Sequence, residues 1–337
     1  MEISIIVPTH NRSDALAKTL STLAEQDFDG KWEVVVVNNN STDDTDEVVK
    51  SRQEKFPAPL HLVHESIPGP AAARNAGARK AEGEIIVFID NDILVKPDFV
   101  RQHVETIKSN PKSWFIGRVV NPPDLRETPF GRYRDDLHES YFEHLPTEEF
   151  ADYEGATGQN WAMRREEFFA AGGFDEGYAI ASCEDAELAL RARRRGFRTM
   201  FTPKSVVVHN DWAIDLDTFC ERQELYSIST VLLWQKYGEN SFQIQTVKEN
   251  SPIDWKNDSS KIIGKKMAKA VFSSSVAYPL AKFACKSIER VAPDTKLSYK
   301  AYKTAVALAM FRGVREGFRR YAGDSNNRLE SKIEIGK

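Results

Sequence analysis

The sequence feature that most constrains the fold is an apolar run that ends in two carboxylates. Residues 85–89 are five consecutive apolar residues, and Asp90, Asn91 and Asp92 follow them directly. Such a run suits a strand that is buried on both faces of a parallel sheet. Asp90 and Asp92 are two residues apart, so they are predicted to point together at the edge of the sheet where α/β proteins bind ligands. The pair favours a divalent-cation site, although an ordinary turn after a strand also accounts for it.

Further strands and helices alternate with this strand along the first part of the chain. Strands are predicted over residues 4–9, 33–37 and 61–63, and a helical pattern follows each of them. The alternation predicts an α/β fold with a doubly wound, mostly parallel sheet. The strand ends, at residues 8–12, 38–40 and 90–92, are predicted to form the ligand crevice. No G-x-G-x-x-G sequence follows the first strand, which argues against a dinucleotide-binding fold.

The middle of the chain is less regular. Residues 121–154 are rich in proline, acidic and aromatic residues and predict a long loop with a short helix. Residues 155–163 resemble a strand that enters a site. Residues 183–196 have the acidic start, basic end and final glycine of a helix, and residues 206–209 are an apolar strand that ends in His209.

Three groups of side chains in these segments suit chemistry. His209 ends a strand as the two carboxylates do, and two carboxylates with one imidazole suit Mn²⁺ or Mg²⁺, although a structural histidine is the alternative. Glu184 and Asp185 either stabilise a helix N terminus or leave one carboxylate free as a general base, for which Asp185 is favoured. Arg74 is either a solvated helix residue or a partner for a diphosphate.

Composition restricts the class of protein. The chain has 337 residues, of which 41% are hydrophobic and 28% charged, as in soluble globular proteins. The N terminus lacks a signal-peptide pattern, and no window reaches the roughly 18 apolar residues of a spanning helix. Cys183, Cys220 and Cys285 are scattered, which predicts free thiols in a reducing compartment. A cytoplasmic location is therefore predicted.

The charge is distributed unevenly. Residues 261–320 contain fourteen Lys and Arg against three acids, so this segment carries +11 while the whole chain carries −4. Its apolar and basic positions have near-helical spacing, which favours helices that rest on the anionic inner face of a membrane. Packing on the catalytic domain or on a second subunit, as in a homodimer, is the alternative. No nucleic-acid-binding motif accompanies the charge, so no nucleic-acid partner is predicted.

Six short motifs occur in an order that resembles the inverting family 2 glycosyltransferases with the GT-A fold. The matching segments lie within about the first 215 residues and are residues 5–12, 37–43, 73–77, the D-x-D form at 90–92, 173–176, and Glu184-Asp185 with Arg191 downstream. Each motif alone is weak, but their common order is specific for the family. It is not specific for the sugar.

The resemblance implies a role for each matching residue. Pro8, Thr9, Arg12 and Asn91 would belong to the nucleotide site, with Asn38 at the base. Arg74 would lie near the diphosphate and Asp90 near the ribose. Asp92 would hold the metal together with Asp90 and His209, and Asp185, beside Glu184, would be the catalytic base. The family commonly has Asp where this chain has Asn38, and an amide both donates and accepts, so uridine is favoured while the base stays open.

The sequence therefore predicts a GT-A catalytic domain at residues 1–240 and a basic, mainly helical extension at residues 241–337. The predicted activity is metal-dependent, inverting transfer of one hexose or N-acetylhexosamine from a nucleotide-sugar, UDP favoured, to a glycan or lipid-linked acceptor in surface polysaccharide synthesis. A catalytically silent nucleotide-sugar-binding or scaffold subunit is the alternative. A processive synthase is disfavoured because spanning helices and a Q-x-x-R-W motif are missing, and a nucleotidyltransferase because a Gly-rich basic loop is missing.

Overall fold

The chain divides into two compact units. The computed structural model describes residues 1–143, 151–152, 157–178, 183–210, 215–238 and 244–321. Unit 1 comprises Met1–Leu125 and Asp135–Trp212, and unit 2 comprises Arg126–Arg134 and Ala213–Lys337. The compact units thus divide near residue 212, whereas the division of functional domains at residue 240 stays a prediction.

Unit 1 is built on a sheet of nine strands among the described residues. The strands are β1 (Ile3–Thr9), β2 (Trp32–Asn38), β3 (Leu60–His64), β4 (Ile85–Phe88), β5 (Ile93–Leu94), β6 (Ser113–Val120), β7 (Ala151–Asp152), β8 (Trp161–Arg164) and β9 (Arg198–His209). Their order across the sheet is β3-β2-β1-β4-β8-β6-β9-β5, with β7 beside β9. Strands β3, β2, β1 and β4 are parallel, as are β6 and β9, and β8 runs antiparallel between these two groups. The predicted mostly parallel α/β sheet is confirmed.

Helices cover both faces of this sheet. They are α1 (Ser13–Leu23), α2 (Thr45–Gln53), α3 (Pro70–Lys80), α4 (Phe99–Ser109), α5 (Pro129–Glu143), which begins within unit 2, α6 (Arg165–Ala170) and α7 (Glu184–Arg194). Alternate residues of β4 enter different cores: Ile85 and Val87 pack with apolar residues of α1, α2 and α4, whereas Ile86 and Phe88 pack with those of α3, α6 and α7. The prediction that this apolar strand is buried on both faces is confirmed.

Two regions differ from the sequence-based expectation. Strand β9 begins at Arg198, well before residue 206, because residues 198–202 pair in parallel with β6. An irregularity in the register follows at Gly117 and Arg118, and Pro203 lies in this stretch of β9, so the apolar pattern of the strand is interrupted. Residues 121–154 were expected to be a loop with a short helix, but they contain a 3₁₀ turn at Pro123–Glu127 and the 15-residue helix α5.

Unit 2 is helical. Its helices are α8 (Leu216–Tyr237), α9 (Ile244–Asn250), α10 (Ser260–Phe272), α11 (Ala277–Val291) and α12 (Lys296–Tyr321). Helices α8 and α12 approach closely at Gly313, where an added Cβ would lie 2.0 Å from the carbonyl oxygen of Glu224. The helices predicted beyond residue 261 are confirmed. In the part of the chain that the structure describes, no helix is both long enough and apolar enough to cross a membrane.

Candidate active site

The ends of three parallel strands bring the predicted site residues to one edge of the sheet. Thr9 at the end of β1 lies opposite Asn38 at the end of β2, and Phe88 at the end of β4 lies beside Ile6 of β1. The segment that follows β4 contains Asp90, Asn91 and Asp92. Their proximity follows from parallel pairing, because parallel strands end at the same edge.

The loops after β1 and β2 are fastened to each other. Asn11 and Asn40 have positive φ angles of 51° and 60°, a conformation that asparagine tolerates better than most residues. The backbone N–H of Asn11 donates to the Ser41 hydroxyl at 3.0 Å, and the Asn11 side-chain oxygen accepts from the Thr42 N–H at 2.7 Å. These bonds fix the start of α1, where the Arg12 side chain leaves the loop.

Asp92 lies between a cation and an imidazole. Its Oδ2 accepts a hydrogen bond from Arg12 Nη1 at 2.6 Å, and its Oδ1 lies 3.4 Å from His209 Nε2. The sheet positions this pair, because Ile93 of β5 is opposite His209 of β9 and the Asn210 N–H donates to the Asp92 carbonyl. Burial favours the neutral acid, but His209 and Arg12 outweigh it, and the pKa of Asp92 is lowered.

The residues beside Asp92 have structural partners. Asn91 is buried, its side-chain amide donates to Thr9 Oγ1 at 2.7 Å, and its carbonyl accepts from the Thr19 hydroxyl at 2.8 Å. Pro8 lies within β1 opposite Val37. Asn91 and Thr9 therefore hold the segment at residues 90–92 against β1. Their contact with a nucleotide stays a prediction.

Arg74 is the centre of the acidic part of the site. Its guanidinium donates to Asp90 Oδ1 at 2.9 Å, to Glu184 Oε1 at 2.8 Å and to Asp185 Oδ1 at 3.4 Å. The side chain is buried, which disfavours charge, but the three carboxylates outweigh burial and raise the pKa of Arg74. The alternative of a solvated helix residue is wrong, whereas contact with a diphosphate stays a prediction.

Asp185 is held from both sides. Its second oxygen, Oδ2, accepts a hydrogen bond from the Gly158 N–H at 2.7 Å. An added Cβ at Gly158 would lie 2.6 Å from Arg74 Cζ, so a side chain at this position would collide with the guanidinium. Burial, reinforced by the charge of Glu184, raises the pKa of Asp185 to about 7 although Arg74 opposes the shift. A carboxylate that titrates near neutral pH suits a general base.

Asn38 is oriented by a neighbouring acid. Its side-chain Nδ2 donates to Asp46 Oδ1 at 2.7 Å, and its Oδ1 accepts from the Ser41 N–H at 2.8 Å. His64 Nε2 lies 2.9 Å from Asp46 Oδ2. The hydrogen bond from Asn38, together with His64 and Lys50, outweighs the effect of burial and lowers the pKa of Asp46 to about 2. Asp46 therefore fixes the orientation of the Asn38 amide, with Nδ2 toward Asp46 and Oδ1 toward the Ser41 N–H.

The donor atoms around Asp92 suit a divalent cation in part. Asp92 Oδ1 is buried and has no hydrogen-bond partner among the residues that the structure describes, yet it lies 3.4 Å from His209 Nε2. A carboxylate with an imidazole is a ligand set for Mn²⁺. Among the described residues, no three His, Cys, Asp or Glu side chains come together as a metal site. Asp90 contacts Arg74 instead. A cation held by Asp92 and His209 would therefore need phosphate oxygens and water as further ligands, which is the usual environment of Mg²⁺.

Several motif residues turn out to support the site. Asn75 pairs with the backbone of Phe174 in both directions, donating to its carbonyl and accepting from its N–H, each at 2.9 Å. Arg191 donates to the carbonyls of Ala171 and Gly173, which fixes the turn after α6. These bonds connect α3, through Asn75, and α7, through Arg191, to the turn at residues 171–174.

Sequence reasoning missed three residues that contact the predicted site. Gly158 bonds Asp185, Gln159 Nε2 lies 3.3 Å from His209 Nε2, and Asp46 holds Asn38. The stretch at 155–163 was recognised as entering a site, but a glycine backbone donor leaves no signature in composition. Asp46 lies in the first turn of α2, where acidic residues are common because they stabilise a helix N terminus. Its position in the sequence therefore did not indicate a role at the site.

Known proteins that are similar to this chain in sequence include glycosyltransferases. Residues 4–169 match the sequence profile described as glycosyl transferase family 2. The chain is 36% identical over 136 residues to the poly(ribitol-phosphate) beta-N-acetylglucosaminyltransferase TarS of Staphylococcus aureus (strain Mu50 / ATCC 700699), covering 38% of this chain and 24% of TarS. It is 26% identical over 264 residues to validoxylamine A glucosyltransferase of Streptomyces hygroscopicus subsp. limoneus, covering 68% of this chain and 54% of that relative. The chain thus spans between a quarter and about half the length of these two relatives.

A solved structure supports the same fold. The mannosyltransferase PcManGT of Pyrobaculum calidifontis, solved in complex with GDP-Man and Mn²⁺, matches with a TM-score of 0.56 and 21% identity. The match covers 92% of this chain and 86% of that one. The predicted GT-A fold is thereby confirmed.

Proposed function

Because the chain belongs to glycosyl transferase family 2, we propose that it is a metal-dependent, inverting glycosyltransferase that moves one sugar from a nucleotide-sugar to an acceptor hydroxyl. The observation that carries the proposal is Asp185, a partly buried carboxylate whose pKa is raised to about 7 and which is fixed by Arg74 and the Gly158 N–H. It lies with Asp90 around one guanidinium at the ligand-binding edge of the sheet.

The proposed chemistry is a single displacement at the anomeric carbon. Asp185 takes the proton from the acceptor hydroxyl as that oxygen attacks the face opposite the leaving nucleoside diphosphate, so the configuration inverts. Glu184 does not compete for this proton in our assignment, because it is buried against Arg74. Arg74 keeps Asp185 in place and supplies positive charge at the site.

Asp92 and His209 are the residues that we assign to a Mn²⁺ or Mg²⁺ ion. A cation held there would neutralise charge on the departing diphosphate. We also assign Arg12, which contacts Asp92, to the nucleotide site beside the diphosphate, and Asp90 stays our assignment for the ribose. The bound Mn²⁺ of PcManGT is consistent with this assignment.

For the donor we propose a UDP-linked hexose or N-acetylhexosamine. The name of TarS specifies N-acetylglucosamine transfer, and that of the Streptomyces relative specifies glucose, whereas PcManGT was solved with GDP-Man. Asn38 is our candidate for reading the base, in the orientation that Asp46 imposes. Replacing Asn38 by Asp changes an amide donor into an acceptor, so donor preference should change, and an unchanged preference would show that Asn38 does not read the base.

For the acceptor we propose a glycan or a lipid-linked glycan in surface polysaccharide synthesis, reached from the cytoplasm. TarS acts on poly(ribitol-phosphate), a polymer, according to its name. The side chain of Asp185 is 15% exposed, so an acceptor hydroxyl can reach it.

The deciding experiment measures nucleoside diphosphate release from UDP-, GDP- and dTDP-sugars with Mn²⁺, for the wild type, Asp185→Asn and Asp92→Asn. We expect one donor class to be hydrolysed slowly, release to fall at least about a hundredfold in Asp185→Asn, and metal-dependent nucleotide binding to be lost in Asp92→Asn. Binding by calorimetry without release, for every donor and with acceptor glycans present, would identify a silent nucleotide-sugar-binding or scaffold subunit instead.

A further inference from the structure

An exposed apolar surface lies where α10 joins α11 in unit 2. Its members are large apolar side chains of the two helices and of the four-residue connection between them, and each is more than half exposed. They are Met267, Val271, Phe272, Val276, Leu280 and Phe283. We call this set the α10–α11 surface. So many exposed large apolar side chains within two consecutive helices are unusual on a folded unit and indicate a contact surface.

Helical spacing explains why the unit's own core leaves these residues uncovered. Val276, which directly precedes α11, and Leu280 and Phe283 of α11 are four and three residues apart and share one stripe. Tyr278 and Cys285, on another side of α11, enter the core. On α10, Ala268 and Phe272 share an exposed stripe with Lys261 and Lys265. The side chains that face away from the core are therefore apolar next to the connection and basic farther from it.

The exposed charge around this surface is positive. Lys261 and Lys265 on α10 and Arg290 on α11 are exposed and form no ion pair with any described residue. Acids of the same region are already engaged. Asp258 pairs with Lys266 at 2.7 Å, Asp294 pairs with Arg132 at 2.7 Å, and Glu289 accepts from the Tyr302 hydroxyl at 2.7 Å. An approaching partner therefore meets apolar groups flanked by uncompensated cations.

We infer that the α10–α11 surface docks on a bilayer that contains anionic lipids. Apolar side chains beside a helix connection enter the boundary between headgroups and acyl chains, while flanking Lys and Arg reach anionic headgroups. A second copy of the chain is a poorer partner, because a two-fold contact through this surface would bring Lys261, Lys265 and Arg290 of both copies together. This inference does not depend on the proposed transferase activity.

The test is co-sedimentation of the full chain with vesicles of phosphatidylcholine containing a minority of phosphatidylglycerol, compared with phosphatidylcholine alone. We expect binding to the anionic vesicles, weakened by added salt. Leu280→Ser and Phe283→Ser should each weaken binding about tenfold, as expected when one apolar side chain is no longer buried. Lys261→Gln and Lys265→Gln should each weaken it about fivefold, and only on anionic vesicles.

Matched variants separate docking from misfolding. Phe169→Ser removes a phenylalanine of unit 1 that is also exposed, and it should bind vesicles like the wild type. A polarity-sensitive dye on Leu280→Cys should shift its emission to shorter wavelength when anionic vesicles are added, whereas the same dye on Ile67→Cys should not. The three native cysteines are buried, so labelling is specific for the new thiol.

Three results would overturn the inference. The wild type could fail to sediment with anionic vesicles, the Leu280 and Phe283 variants could bind as well as the wild type, or the dye on Leu280→Cys could keep its emission. Sedimentation equilibrium addresses the rival partner: a wild-type dimer that Phe283→Ser converts to a monomer would assign this surface to a second copy instead of a membrane.

Discussion

The guanidinium of Arg74 lies 2.8 Å from the carboxylate of Glu184, and both side chains are almost wholly buried, at 4% and 2% exposure. Arg74 belongs to α3 and Glu184 begins α7, so this ion pair fastens two helices that cover the same face of the sheet. The same guanidinium contacts Asp185 and Asp90. Arg74, which the family resemblance assigns to the diphosphate, therefore also has a structural role, because its guanidinium forms ion pairs with three carboxylates.

Replacing Arg74 by Ala should lower the free energy of unfolding by about 3–5 kcal/mol, because Glu184 would be left buried without its cation. Denaturant unfolding measures this change. Arg79→Ala is the matched control: Arg79 is on the same helix but 55% exposed, its closest acid is Glu65 at 3.3 Å, and its loss should cost less than about 1 kcal/mol. Equal effects of the two substitutions would contradict a special role for the buried pair.

Gly158→Ala should reduce the rate of nucleoside diphosphate release by about 10- to 100-fold, because its methyl group would displace the Arg74 guanidinium and with it Asp185. Nucleotide binding at the Asp92 side of the site should change little. Gly264→Ala serves as the control, since an added Cβ there has no heavy atom within 4 Å and alanine favours the helix. A Gly158→Ala protein with wild-type turnover would show that the Arg74 position is not critical.

The pH dependence of turnover should identify Asp185. Burial raises its pKa to about 7, so kcat/KM should fall about tenfold for each pH unit below 7, as the base becomes protonated. The charge of Glu184 adds to this shift, and Glu184→Gln should therefore move the acidic limb of the profile to lower pH. Movement to higher pH in that variant, or a wild-type profile that is flat between pH 5 and about 8, would be evidence against Asp185 as the base.

The limits of prediction from sequence can be seen at Arg74 and Asp92. Strand order placed Asp90, Asp92 and Asn38 at one edge, because apolar runs and parallel pairing dictate where strands end. Arg74 was placed in its helix correctly, but its partners lie 110 and 111 residues away in sequence, at Glu184 and Asp185. No local pattern reports such a contact. The same holds for His209, which meets Asp92 only because β5 and β9 pair in one register.

His103 predicts a second pH effect, on stability. It is fully buried in α4, its Nε2 lies 2.9 Å from Asn160 Oδ1, and burial lowers its pKa to about 4. Since the His103 side chain binds a proton near pH 6.5 in the unfolded chain but not in the folded one, its contribution to stability should be fully present above pH 6.5. That contribution should fall by about 3 kcal/mol as the pH drops to about 4.

The measurement is the free energy of unfolding in urea at several pH values, for the wild type and His103→Gln. Asp185, whose raised pKa contributes with the opposite sign, is present in both proteins, so it cancels in the difference between them. The wild type should lose its advantage over the variant as the pH falls from about 6.5 to about 4. A difference that does not vary with pH would mean that His103 has the same pKa in the folded protein as in the unfolded chain, which would contradict the lowered pKa.

Arg12 and a metal ion should compete for Asp92. Arg12 Nη1 lies 2.6 Å from Asp92 Oδ2. The Arg12 side chain is already 39% exposed, so moving its guanidinium away from Asp92 into solvent gives up little buried surface. Arg12→Ala should therefore strengthen Mn²⁺ binding in the absence of nucleotide by about fivefold, as expected when one positive charge is removed near a carboxylate in an aqueous environment.

Asp92→Asn should abolish Mn²⁺ binding in the absence of nucleotide. Calorimetry with Mn²⁺ alone measures both, and Arg101→Ala, which removes an exposed arginine paired with Asp27, should leave the affinity unchanged. Weaker Mn²⁺ binding in Arg12→Ala would reverse the interpretation, because Arg12 would then hold Asp92 in the orientation that the cation requires instead of competing with it.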